Sequence, residues 1–216
     1  MAAPRPTLDR ESAVWANGQL LVGVDEAGRG PLAGPVVAAA VVFPAGSALL
    51  EGVRDSKTLS AARREALALV IRGAALAVGV AGASVREIDG LNIRVATALA
   101  MRRAILRVLG GPSRREIGFP REALVDGDAH CHSVAAAGII AKTVRDRLMR
   151  RLAARHAGYG WERNSGYGSA EHFAAIQTLG PTDHHRRSFS PVSGLGLPTW
   201  PSRTPCPGSR TPPAHS

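Results

Sequence analysis

The chain has 216 residues, 45% of them hydrophobic and 20% charged, a balance that suits one ordinary globular domain with a real core. Aromatic residues make up only 4%, which argues against a module that binds single strands by stacking bases, while a formal charge of +10 suits a polyanionic partner such as nucleic acid. Many arginines nevertheless fall on apparent helix faces, where exposure to solvent accounts for them equally well. The two cysteines, Cys131 and Cys206, are too few and too distant for a disulfide framework or a zinc site, which suggests a reducing compartment. No stretch approaches the roughly 20 apolar residues of a membrane span. Residues 1–19 lack the apolar core of a secretory signal, so a cytoplasmic location is expected.

Val-rich apolar runs at 20–24 and 36–43 predict two strands joined by a turn at 28–35 that is punctuated by Gly and Pro. Behind Ser60, apolar residues at helical spacing predict a helix to residue 75, and 78–83 reads as a further strand. Ser84 with Glu87 three residues on is a capping-box pattern that opens a short helix, followed by a long helix over 91–109. Residues 122–125 predict a strand ending at Asp126. An Ala-rich amphipathic helix over 133–154 follows, with Lys142, Arg145, Asp146 and Arg150 on its polar face. This order of elements predicts an α/β layered domain over 20–192, preceded by an N-terminal extension, 1–19. From residue 193 the composition turns to Gly, Pro, Ser, Thr and Arg, which predicts a disordered tail, 193–216.

The chemistry concentrates at Asp25-Glu26, at the end of the first predicted strand. Most isolated Asp-Glu pairs are solvated strand ends. A pair facing one pocket, however, stays ionised most readily when a hard cation such as Mg²⁺ or Mn²⁺ offsets the mutual repulsion. The pair runs directly into Ala27-Gly28-Arg29-Gly30-Pro31, where glycines on both sides of an arginine let the backbone approach a ligand while the guanidinium reaches a phosphate. No protein nucleophile is evident, because Cys131 and Ser133 lack a recognisable base partner.

The string from Val24 to Pro35 resembles, nearly residue for residue, the opening motif of the ribonuclease HII family. Further segments resemble that family in the same order: Asp55-Ser56-Lys57-Thr58, Glu87-Ile88-Asp89 with Leu91-Asn92-Ile93, and Ala100-Met101-Arg102-Arg103. They continue with Gly127-Asp128 leading into Ser133-Val134-Ala135 and Ala141-Lys142, then Gly166-Tyr167-Gly168, His172, and Gly180-Pro181-Thr182 through Phe189. The resemblance implies an RNase H-like fold, a mixed central sheet flanked by helices with a helical C-terminal part. It also implies a monomeric endonuclease that uses Mn²⁺ or Mg²⁺ to cut the RNA strand of RNA–DNA hybrids and to incise beside ribonucleotides embedded in duplex DNA. Carried over residue by residue, Asp25, Glu26 and Asp128 match metal-binding carboxylates. Gly28, Arg29 and Gly30 match the loop that senses the ribose 2′-hydroxyl, and Tyr167 matches a tyrosine that stacks on the sugar at the RNA-to-DNA junction. Lys142 and Arg147 are candidates for phosphate contacts or for a solvated helix face, and His185 reads as structural or phosphate-facing.

One departure stands out. The family carries a third metal-binding Asp on its own strand, whereas here Leu124-Val125-Asp126-Gly127-Asp128 reads as two elements compressed into one. Either Asp126 is the third carboxylate and a connection has been deleted, or the third strand has been lost between Gly111 and Ile117. On the second alignment Asp126 and Asp128 still share one side of an extended segment and can partly restore the ligand set. A catalytically impaired hybrid-binding relative is therefore the alternative function, and a basic RNA-associated structural protein is a third.

Overall fold

The computed structural model describes residues 5–110 and 127–195. The Val-rich run at 36–43 forms β2 (Val36–Val42), while the strand expected at 20–24 forms later, as β1 (Gly23–Ala27), so that Asp25 and Glu26 lie inside the strand; the two pair antiparallel, with Asp25 opposite Ala39 and Ala27 opposite Val37. On the other edge of β2 lies β3 (Ala77–Ala83), also antiparallel, with Val36 opposite Ala83. All seven residues of β2 are buried because both faces of the sheet are covered by helices. The described strands are therefore antiparallel throughout. The strand expected at 122–125, which would make the sheet mixed, lies with Asp126 outside the described residues.

The pleat sorts the sheet's side chains into two cores. Ala27, Ala39 and Val41 pack with Leu67 and Ile71 of α2 (Ala61–Ala74) and with Ala135, Ala136, Ile139 and Ile140 of α6 (His132–Arg155). Val36, Ala38 and Ala40 pack on the opposite face with Ile88 of α3 (Val85–Leu91) and Ala96, Ala100 and Ala104 of α4 (Ile93–Val108). Alanine on both sides of each interface brings helix and sheet close together, which is how an aromatic-poor chain fills its interior. At Gly23 the approach is so close that a Cβ would lie 2.2 Å from the Ser133 carbonyl carbon.

The predicted caps form. The Ser60 hydroxyl accepts from Arg63 N–H at 3.3 Å, and the Ser84–Glu87 capping box is complete. The helix expected from residue 91 instead starts at Ile93. Asn92 takes a left-handed φ of 68° that ends α3, and its side-chain oxygen accepts from the N–H groups of Arg94 and Val95 to start α4. Apolar spacing runs unbroken through this boundary, so the periodicity alone does not show it. A C-terminal part with α7 (Trp161–Asn164) and α8 (Ala170–Leu179) packs Trp161, Tyr159 and Ile176 against Met149 and Leu152 of α6. Arg145, expected on the polar face of the long helix, is instead fully buried beneath this part. Among the described residues no helix is long and apolar enough to cross a membrane.

The segment before residue 20 braces the core. Its helix α1 (Asp9–Trp15) buries Glu11, whose carboxylate accepts from the Ser133 N–H and hydroxyl, both at 2.7 Å, and from the Cys131 thiol at 3.3 Å. A carboxylate thus caps the N-terminus of α6, where the unsatisfied N–H groups and the helix dipole favour negative charge. Replacing Glu11 with Ala leaves those donors buried without a partner and is expected to destabilise the fold by roughly 1–3 kcal/mol, read as a lower urea midpoint with unchanged m-value. A variant as stable as the parent would show that the cap is dispensable.

Candidate active site

Asp25 and Glu26 follow one another on β1, so the pleat sends them to opposite faces. Asp25 lies toward α6 with Ala27 and Ala39, and Glu26 toward α4 with Val24 and Ala38. Both line one wide cleft, together with Gly28, Arg29, Gly30, Lys57, Asp128, Lys142 and Tyr167. The cleft thus gathers the sequence-predicted site residues within the described part of the chain. Asp126 lies outside the described residues.

Room for the Asp25 carboxylate is made by Gly138 on α6, where a Cβ would stand 2.4 Å from Asp25 Oδ2. A glycine inside a helix costs about 1 kcal/mol relative to alanine, and Gly138 follows directly on Ala135-Ala136-Ala137. That glycine among alanines is the sequence signal that motif reading passed over. Burial first, then the charges of Glu26 and Asp128, pushes the Asp25 carboxyl up to about 7, against the lowering effect of the Glu26 N–H (2.7 Å to Oδ1) and of Lys57. Asp128, on α5 (Gly127–His130), is also raised, by burial and by the nearby Asp55. Among the described residues no three acidic, imidazole or thiol side chains already converge closely enough to hold an ion. The hard oxygen donors and their mutual repulsion nevertheless suit a divalent cation in type and in sign.

The loop after β1 is held from below. Gly28 has φ +94°, and a Cβ there would collide with the Arg145 guanidinium, 1.9 Å from Nε. Arg145 donates to the carbonyls of Pro35 (3.1 Å), Ser165 (3.0 Å) and Ala33 (3.1 Å). Arg186, fully buried, donates to the carbonyls of Gly28 (2.5 Å), Arg29 (2.7 Å) and Gly34 (3.0 Å from Nε). Burial holds both below the usual guanidinium value, Arg186 at about 9. Neither role shows in the sequence, because the bonded partners are backbone atoms remote along the chain.

Above the loop, the half-exposed Tyr167 ring covers Gly30, with ring Cε1 3.6 Å from where a Cβ would stand. The largely exposed Arg29 side chain pairs with Glu26 at 3.3 Å. Lys142 pairs with Asp146 at 2.8 Å and lies 6.0 Å from the Tyr167 ring centre, while Arg147 is engaged by Glu65 of α2. Cys131 is buried and its thiol donates to Glu11, and burial pushes that thiol up to about 12, away from the thiolate form that a nucleophile needs.

Residues 22–117 and 110–192 match the model of the ribonuclease HII family. The chain belongs to this family. It is 52% identical over 198 residues to a ribonuclease HII of Ruegeria pomeroyi, covering 87% of this chain and 84% of that one. A ribonuclease HII of Paracoccus denitrificans is also 52% identical, over 192 residues, covering 84% of this chain and 90% of its own length. Among solved structures, ribonuclease H2 of Pyrococcus horikoshii is 26% identical with a TM-score of 0.65, covering 82% of this chain and 96% of that one. The ribonuclease HII of Archaeoglobus fulgidus, solved with PCNA, is 26% identical with a TM-score of 0.58, covering 76% and 92%. The two stretches of the family match overlap at 110–117.

The raised Asp25 carboxyl makes a signed prediction. A carboxyl whose folded value lies above its unfolded one, near 4, contributes stability below that value and loses it as pH rises through the folded value. In chelator, Asp25→Asn should therefore melt increasingly above the parent as pH rises from about 4 through about 7. A melting difference that stays constant from pH 4 to pH 8 would contradict the assignment.

Proposed function

We propose that the chain is an endonuclease that hydrolyses the RNA strand of RNA–DNA hybrids and incises at ribonucleotides embedded in duplex DNA, with Asp25, Glu26, Asp128 and Asp126 as its metal-holding carboxylates. One observation carries this reading: the Asp25, Glu26 and Asp128 carboxylates share a cleft with a backbone-clamped glycine loop beneath a half-exposed tyrosine. Mn²⁺ or Mg²⁺ is the expected ion, given acidic oxygen donors throughout. Bound there, the ion supplies a Lewis acid that lowers the pKa of water and stabilises the leaving 3′-oxygen, so no protein nucleophile is required.

The chain's own residues do the rest. With the Gly28 and Arg29 carbonyls turned down onto Arg186, the planar trans peptides turn the N–H groups of Arg29 and Gly30 the other way, away from Arg186. These donors suit a sugar hydroxyl, the group that distinguishes RNA from DNA. The Tyr167 ring above Gly30 offers a flat surface to the sugar beside it. Arg29 and Lys142 supply positive charge for the flanking phosphates, each already oriented by an acidic neighbour, Glu26 and Asp146. We further propose a monomer acting in the cytoplasm, with residues 20–192 as the catalytic domain, the preceding helix as its brace, and 193–216 as a tail. The family relatives offer nothing in favour of an impaired, merely hybrid-binding protein.

Incision of an end-labelled duplex containing one ribonucleotide, in Mn²⁺, Mg²⁺ or chelator, tests this directly. Cutting on the 5′ side of the ribonucleotide is expected with metal only, and is expected to vanish in Asp25→Asn. Equal cutting in chelator, or by the variant, would overturn the reading. Gly138→Ala provides a second test. It substitutes a better helix former, so the fold should persist, yet by displacing the Asp25 carboxylate it should slow incision about 100-fold, the usual penalty for a misplacement near 1 Å.

A further inference from the structure

The turn that carries Tyr167 is held by a chain of hydrogen bonds whose direction the heavy atoms dictate. The Thr182 backbone N–H donates to His185 Nδ1 at 2.9 Å, so that nitrogen is bare and the His185 proton sits on Nε2. On His172, Nδ1 lies 2.8 Å from the Tyr167 carbonyl oxygen, which can only accept, so the His172 proton sits on Nδ1. His172 Nε2 is then bare, and its one lone pair is shared between His185 Nε2–H at 3.1 Å and the Trp161 indole N–H at 3.0 Å. Each ring has one tautomer that satisfies all these neighbours, and both rings are fully buried.

Both rings are held below the usual imidazole value by burial, His185 at about 4. The other groups facing them reinforce or oppose this only in part: His184 and His156 also lower His185, Glu171 raises His172, and the Tyr159 ring packs against both. A proton added to either ring would place two N–H groups head to head. A buried polar network with a single satisfied arrangement specifies one geometry for whatever it ends on.

It ends on the backbone of the residue whose ring covers Gly30. The residue after His185 is Arg186, whose guanidinium holds the carbonyls of Gly28 and Arg29. Two consecutive residues thus tie the tyrosine turn and the glycine loop to one strut. We propose that His172 and His185 are positioning residues that set the Tyr167 ring over Gly30 and thereby tune recognition of the sugar between them. This rests on the reading of Tyr167 as the sugar-stacking residue.

Two substitutions at one position separate positioning from mere packing. His172→Asn keeps a side-chain N–H near the place of Nδ1, facing the Tyr167 carbonyl, whereas His172→Gln places its polar end near Nε2 and abandons that carbonyl. On the single-ribonucleotide duplex, His172→Gln is expected to lower kcat/KM about tenfold and His172→Asn to stay within about threefold of the parent. In a Tyr167→Ala background His172→Gln should add nothing, because the two act through one contact. Full additivity with Tyr167→Ala, or equal losses in Asn and Gln, would overturn the proposal.

Should the variants not fold, imidazole ¹⁵N spectra of the unaltered protein decide. His172 protonated on Nδ1 and His185 on Nε2, with His185 unchanged from pH 8 to about pH 5.5, is the expected result. The opposite tautomers, or titration of either ring at the ordinary imidazole pKa, would overturn it. If the unaltered protein made no incision at all, the reading of the cleft would fail on that ground, and the spectra would still decide the relay.

Discussion

The cleft depends on the burial of two guanidinium groups that are hydrogen-bonded to main-chain carbonyls. Arg145 and Arg186 lie under the loop after β1 and hold Gly28, Arg29, Ala33, Gly34, Pro35 and Ser165 by their oxygens. Burying a charge is expensive unless its donors are used, and a planar fork with five N–H groups can engage several carbonyls of a tight turn at once, which a lysine cannot. An irregular loop rich in Gly and Pro is thereby held by side-chain donors where a strand would be held by its neighbour's backbone. Under the proposed function this matters, because backbone N–H groups that are to recognise a hydroxyl must be in place before the ligand arrives.

The same cleft holds an electrostatic tension that the protein by itself leaves unrelieved. Asp25 lies in a space opened by a glycine in the middle of a long helix, with Glu26 and Asp128 raising its proton affinity. Both features lower the stability of the isolated chain, the glycine through helix propensity and the carboxyl through desolvation. A cation balancing the charge would offset the second, the pattern expected where a fold gives up stability for a site.

Alanine-rich packing links these features. Because α6 meets β1 and β2 through Ala135, Ala136, Ala39 and Gly23, the helix runs close enough for Gly138 to border Asp25 and for Arg145, two turns further on, to reach beneath the loop. Larger side chains at that interface would lift the helix and separate these groups. Glu11 of α1 fixes the start of the same helix, so the segment that reads as an extension contributes to the placement of the site.

The sequence by itself determined the strands at 36–43 and 78–83, the helices behind Ser60 and Ser84 and over 133–154, and the caps at Ser60 and Ser84, because periodicity and capping chemistry are local properties, while the resemblance of its motifs grouped Asp25, Glu26, Gly28, Arg29, Gly30, Asp128, Lys142 and Tyr167. It did not reveal the break at Asn92, since a left-handed cap leaves apolar spacing intact. The tertiary structure alone decided that Asp25 and Glu26 leave β1 on opposite faces of a shared cleft, that Arg145 turns inward, and that Lys142 and Arg147 are paired with Asp146 and Glu65. It alone joined Tyr167 to His172 and His185. The physical reason is common to all of these. Each depends on a contact between groups far apart in the chain, often with a backbone oxygen that any residue could supply, and such a partner leaves no trace in the identity of the residues around it.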